Sequence, residues 1–364
     1  MKEKGSSFKS AGYAFSVTTA AALLAACSGG GSPSSALAPS TGMNSSSVGH
    51  VPSVKEHVTL TARVSKAVHK DHRKSWISPE ARRAPRLLFV SDDGTDDINI
   101  FTLPGLALKG QLTGFSEPQG MCTDASGNIW VANTGTNQLL QLSRSGSLLK
   151  TLDDPTGFPV GCAVNRLNND LAVTNIIGNP SGDGNVVVYA NSTGTPQAFA
   201  DPSVFEYFFP AYDNAGNLYV DGEGSAGFAL MELASGSSTL SPVSISGGTL
   251  FFPGGVNWDS ATSSLVIGDQ ECNGASESCL YSATVSDGVA TITGVTMLLD
   301  PSGQSGDVDQ TTIGPQGRFF AGGFISESSD PSGVARWAFP AGGVPTNFNG
   351  TALSEPIGAA ISNK

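Results

Sequence analysis

The chain has 364 residues, enough for one large domain or two smaller ones, with Gly 45, Pro 21 and only 14% charged residues. The net charge of -12 conceals a split: residues 54–86 carry nine Lys/Arg against three Asp/Glu, whereas residues 87–364 carry seven against 27, a net of -20. A domain this acidic has no cationic footprint for nucleic acid, and beyond residue 86 no apolar period of 3.6 residues is sustained, which excludes a helical bundle.

In chain order, Lys2, Lys4 and Lys9 precede the apolar run AFSVTTAAALLAA, Ala14 to Ala26, which is of signal-peptide length and too short to span a bilayer. It ends in Leu24-Ala25-Ala26-Cys27, which resembles the lipobox of bacterial lipoproteins. That resemblance implies cleavage before Cys27, a diacylglycerol on its sulfur and a bacterial-envelope location. Ser28, with no Asp at that position, resembles lipoproteins sorted to the outer membrane. The expected layout is a signal peptide over 1–26 and a lipidated Cys with a Ser/Gly/Pro-rich flexible spacer over 27–53. A basic linker over 54–86 and a globular domain over 87–364 follow. For the basic stretch Leu60 to Trp76 three readings are open: contact with anionic headgroups, a solvated linker, or a fold back onto the acidic domain.

From residue 87 a unit of forty to fifty residues recurs. PQGMCTDASGNIWVAN from Pro118, PVGCAVNRLNNDLAVTN from Pro159, FPAYDNAGNLYVDG from Phe209, FPGGVNWDSATSSLVIGD from Phe252 and GDVDQTTIGPQGRFFAGG from Gly306 share one plan. Each is an apolar strand, a turn rich in Asp, Asn and Gly, and a second strand; two further strands follow, as in QLLQLS and SLLKTL. The Asp or Asn accepts bonds from the next backbone N–H groups, and the Gly or Asn takes positive φ. Second strands centre on Phe89, Trp130, Ala172, Tyr219, Val266 and Phe320, which gives six units. The first lacks its opening strand, and PIGAAIS, Pro356 to Ser362, supplies it from the other end of the chain. The fold class is therefore all-β: a six-bladed β-propeller of four-stranded antiparallel blades, with its ring closed by the C-terminal strand.

These units resemble NHL repeats and the gluconolactonase-like propellers over roughly residues 87–364; SDDGTDDINIF from Ser91 aligns without a gap on ANTGTNQLLQL from Ala132. In the gluconolactonase-like enzymes, Glu, Asn and Asp hold a divalent metal at the channel mouth. The resemblance thus makes Ca2+ a possible cofactor, with Glu117, Glu206, Asp307, Asp309 and Glu355, all at blade beginnings, as weak candidate ligands. Asp92, Asp93, Asp96 and Asp97 form another acidic group, read here as a solvated turn in preference to a calcium loop.

Export makes disulfides credible. Cys272 and Cys279 bracket NGASES in the fifth unit, and a bridge there contributes about 2.5 kcal/mol by chain entropy. Cys122 and Cys162 stand two and one places after the shared Gly120 and Gly161, so they point to opposite faces of adjacent blades. Such faces meet, so these two are either a second bridge or two buried thiols. All four His (50, 57, 69, 72) precede the ring, which argues against His-dependent lyase or Ser/Cys-His chemistry and favours a role without catalysis. The favoured function is a lipid-anchored envelope protein whose propeller binds or scaffolds an unidentified protein or small molecule; the alternative is a calcium-dependent lactonase-type hydrolase.

Overall fold

A computed structural model describes residues 74–179, 182–275, 277–326, 332–350 and 353–364. The chain divides into a unit Met1–Ser47, outside the described residues, and a unit Val48–Lys364 that carries the ring. Cys27, the signal peptide, the spacer and the linker as far as Arg73 also lie outside them.

Six antiparallel blades form the ring. From inside outward, the second is built of Pro118–Thr123, Ile129–Asn133, Gln138–Leu142 and Leu148–Asp153. The third is Gly157–Val164, Leu171–Gly178, Asp183–Tyr189 and Gln197–Phe199, and the fourth is Val204–Tyr212, Leu218–Gly224, Gly227–Leu233 and Ser241–Pro242. The fifth is Pro253–Asp259, Ser264–Asp269, Cys279–Ser286 and Val289–Met297, with Ser244–Ser246 added in parallel outside. In the sixth the inner strand is broken into Gly306–Asp307 and Thr311–Ile313, followed by Phe319–Ser326, Gly333–Ala338 and Asn347–Asn349.

The first blade closes the ring. Its inner strand is Pro356–Asn363, paired with Arg86–Asp92 in the register Leu87–Ser362, Phe89–Ala360 and Asp92–Pro356. Asp97–Thr102 and Leu108–Leu112 follow outward. The domain begins earlier than the sequence suggests. Trp76–Ile77 pairs with Gln111 and Gly110 as a fifth strand, and Pro79–Arg83 is a short helix. Ser78 caps that helix by accepting the Ala81 N–H, and Ala81 is fully buried. The end of the basic linker is thus part of the first blade, because its few apolar residues cover an open sheet edge.

Second strands read as continuous apolar runs because both faces of a blade are covered by neighbours. Leu87 and Phe89 pack towards the second blade, whereas the alternating Leu88 and Val90 pack towards the sixth. Six such clusters occur among the described residues, one at each seam between blades. At the fourth–fifth seam Tyr219 and Trp258 stack with ring centroids 6.5 Å apart.

The turn chemistry is as expected. Asp124 Oδ1 accepts the N–H groups of Ser126 and Asn128 at 2.8 and 2.9 Å, with Gly127 at φ +79°. Asp213 repeats the pattern with Ala215 and Asn217. Both disulfides are formed: Cys272–Cys279 within the fifth blade, and Cys122–Cys162 joining the inner strands of the second and third.

Candidate functional site

The ring has two ends, set by the direction of its inner strands. At the end where these strands begin, the last residue of a second strand clamps the incoming loop. Asp92 accepts the N–H groups of Ser354 and Glu355 at 2.9 and 2.8 Å, and Asn133 accepts that of Ser116 at 2.9 Å. Asp269 accepts those of Phe251 and Phe252, both at 3.0 Å. In the third blade the polarity inverts, and Asn175 Nδ2 donates to Asp154 at 3.0 Å. The acid run of the first blade is therefore not a solvated turn. Asp92, Asp93 and Asp97 are buried, Asp96 accepts the Glu117 N–H at 2.7 Å, and Asp97 accepts from Gln111 at 3.0 Å. The loop preceding Pro356 packs onto the Asp92 carboxylate through its two N–H bonds.

The five candidate ligands fall in three places. Asp307, Asp309 and Glu355 lie together with Asp93 at the junction of the sixth and first blades. Burial, and then the charges of Asp307, Glu355 and Asp93, push the Asp309 carboxyl well above the usual range. Glu117 lies apart beside Asp96, and Glu206 stands opposite Glu223 in the fourth blade. Among the described residues no three Asp, Glu, His or Cys side chains are disposed as a metal-ligand group.

The opposite end, where hairpin turns join the inner to the second strands, opens into a cavity of about 450 Å³ lined by the inner strands of all six blades. Tyr212, Trp258 and Leu167 bring apolar surface to it, while Arg166, Asn214 and Ser260 bring polar groups at the turns. The Asp213 and Asp259 carboxylates lie here too, but both are occupied within their own turns, Asp213 by the N–H groups of Ala215 and Asn217 and Asp259 by the Ala261 N–H and the Thr262 hydroxyl.

Gln310 also lines the cavity. Its side chain leaves the break in the sixth-blade inner strand. Oε1 accepts the N–H groups of Met121 and Ala359 at 3.0 and 2.9 Å, and Nε2 donates to the Met121 carbonyl at 3.1 Å. The wall beside it is the Cys122–Cys162 bridge, Cys162 being 2% exposed and Cys122 partly open to the cavity. A Cβ at Gly120 would collide with the Val160 carbonyl oxygen, so the shared glycine allows the inner strands to approach.

Neither Gln310 nor the cavity is apparent from the repeat pattern. The available signal is negative: GDVDQTT lacks the Pro-x-Gly that opens the second, third, fifth and first blades. None of the candidate acids lines the cavity.

Residues 115–142, within the second blade and the loop before it, match the NHL repeat. The chain is similar to one from the nidogen/laminin complex, at 13% identity over 76% of this chain and 98% of that one, with a TM-score of 0.57. A Bacteroides caccae protein of unknown function (13%, 77% and 100%, TM-score 0.54) and a streptogramin B lyase (14%, 79% and 86%, TM-score 0.53) are also similar. At these identities the likeness is one of fold. No curated protein sequence matches the chain. The protein is a six-bladed β-propeller. Its second blade carries an NHL repeat.

Proposed function

We propose that this protein is a lipid-anchored component of a bacterial envelope whose propeller binds a partner or ligand at the turn-side mouth of its channel. The observation that carries the reading is the cavity of about 450 Å³, to which every blade contributes. Its size lies in the range of small-molecule sites, and it combines an aromatic wall with a few polar groups, the Arg166 guanidinium among them. Its carboxylates are committed to turns, which suits recognition better than acid–base chemistry. The anchor reading is supported by the sequence Leu24-Ala25-Ala26-Cys27 and the spacer after it.

Envelope material retained by the intact chain is compared with that retained by a Thr312→Trp variant, in which an indole fills the mouth. Loss of the retained species supports the reading; equal retention by both proteins overturns it. For the anchor, Cys27→Ser should release the protein from membranes and abolish fatty-acid labelling. A labelled, membrane-bound Ser variant would exclude lipidation at Cys27.

A further inference from the structure

Cationic side chains are spread unevenly around the ring. Residues 167–317 hold 16 Asp/Glu and no Lys, Arg or His, a net of -16 out of the -20 carried by residues 87–364. This sector takes in most of the third blade, the whole of the fourth and fifth, and the start of the sixth. At its centre, where the inner strands of the fourth and fifth blades begin, lies an aromatic face. Phe-Phe-Pro occurs twice in the chain, at Phe208 in the fourth-blade inner strand and at Phe251 leading into that of the fifth. Phe251 is 40% exposed, and Phe252 meets Phe208 edge to face with ring centroids 5.6 Å apart. Phe208 and Phe228 are half-buried against the core of the fourth–fifth seam. None of these four rings lines the cavity, which opens at the other end of the ring.

The face is preorganised. Asp269 accepts the N–H groups of Phe251, Phe252 and Glu271, each at 3.0 Å. Phe251 also lies against the loop closed by the Cys272–Cys279 bridge, since a Cβ at Gly274 would stand 3.3 Å from its Cε1. In that loop the Cys272 N–H donates to the Glu277 carbonyl at 2.7 Å, which brings Glu277 back beside the Glu271–Cys272 peptide. Both Glu residues are half-exposed. An exposed ring and two carboxylates fixed in advance cost little ordering entropy when something binds.

These features select the occupant. A Lys or Arg side chain is attracted both by the face of a phenylalanine ring and by the carboxylates, and no cation of the sector competes for them. Nucleic acid and anionic headgroups are repelled by the same charge. A small hydrated cation would leave the aromatic surface unused, whereas a peptide alternating basic and apolar residues covers it. We propose that Phe208, Phe228, Phe251 and Phe252, with Glu271 and Glu277, dock a basic, partly apolar segment of a partner protein. Its Lys or Arg would lie over Phe251 beside the two carboxylates, with its apolar side chains against the remaining rings.

Fluorescence anisotropy of a labelled peptide alternating Arg and Leu, titrated with the full chain, tests the docking. The parent should bind the peptide. Phe251→Ser should weaken binding about tenfold, and so should Glu271→Gln combined with Glu277→Gln. Both sets of changes fall on exposed or half-exposed side chains, so the fold is retained, and the two variants probe the ring and the charges separately. Glu232→Gln combined with Asp287→Asn removes the same charge at the turn-side end of these blades and should leave affinity within about twofold. An equal loss in that control would reduce the effect to net charge and overturn the proposal. So would no binding by the parent, full affinity in Phe251→Ser, or equal binding of a peptide with Ser in place of Leu. A carbodiimide cross-link from Glu277 to Lys66 or Lys70 of the same chain would seat the chain's own linker on the face and overturn the assignment to a partner.

Discussion

Gln310 of the sixth blade is hydrogen-bonded to Met121 of the second, spanning the first blade to do so. Oε1 accepts from Met121 N at 3.0 Å while Nε2 donates to Met121 O at 3.1 Å, and Oε1 also takes the Ala359 N–H. One amide therefore ties three consecutive blades where the ring closes. Gln310 is 6% exposed, so water does not easily replace it. In Gln310→Ala, two buried N–H groups and one carbonyl lose their partner, at about 1–3 kcal/mol for an unsatisfied buried group. The expected loss in urea unfolding is about 2–4 kcal/mol, relieved in part by water reaching the cavity. A variant within 0.5 kcal/mol or so of the parent would show that the bridge contributes little.

The two disulfides close loops of different size, with sequence separations of 40 and 7. By chain entropy the longer contributes about 4 kcal/mol and the shorter about 2.5 kcal/mol. Replacing Cys122 and Cys162 with Ser should therefore cost more than replacing Cys272 and Cys279. Denaturant midpoints under non-reducing conditions give the order, and the reverse order would contradict the entropic account.

The repeat made the architecture legible, because blade number and closure depend on spacing and on an orphan strand, PIGAAIS, that matches PQGMCTD. The pairing of Cys122 with Cys162 was legible as one of two options because strand alternation sets which faces meet. Burial of the first-blade acids was not. Asp92 is capped by Ser354 and Glu355, some 260 residues away, and no local pattern announces that contact. The same holds for Gln310, whose partners belong to blades at both ends of the chain. The candidate acids lie at strand beginnings, whereas the cavity opens at the turns; periodicity locates strands but does not say which end of a channel is hollow.

Ring closure gives a sharper test. Pro356–Asn363 pairs with Arg86–Asp92, and Ala359 and Ile361 belong to the core between the first and sixth blades. A chain ending at Ser354 would expose that core and leave Gln310 without its Ala359 partner. Thermal unfolding should show loss of the cooperative transition or a midpoint lower by more than about 10 °C, beyond the few degrees expected of a frayed terminus. An unchanged single transition would refute closure by this strand.

The last prediction concerns Asp221, which is fully buried in the second strand of the fourth blade. Oδ1 accepts the Phe209 N–H at 2.6 Å, whereas Oδ2 has no hydrogen-bond partner among the described residues. Burial raises its pKa well above the usual carboxylate value, the Phe209 bond lowers it in part, and the Asp269 charge adds a further upward push. With the folded pKa above the unfolded one, the native state keeps a proton that the unfolded chain has released. Asp221 therefore weakens the fold progressively as pH rises above about 3.8 towards its folded pKa, and leaves it unaffected in stronger acid. Asp221→Asn retains an acceptor for Phe209 and removes the titration. Its advantage over the parent should be largest at neutral pH and should shrink steadily towards pH 3.8. Chemical unfolding across this range measures both profiles. A difference independent of pH would mean that Asp221 titrates alike in the folded and unfolded chains, and would overturn the raised pKa.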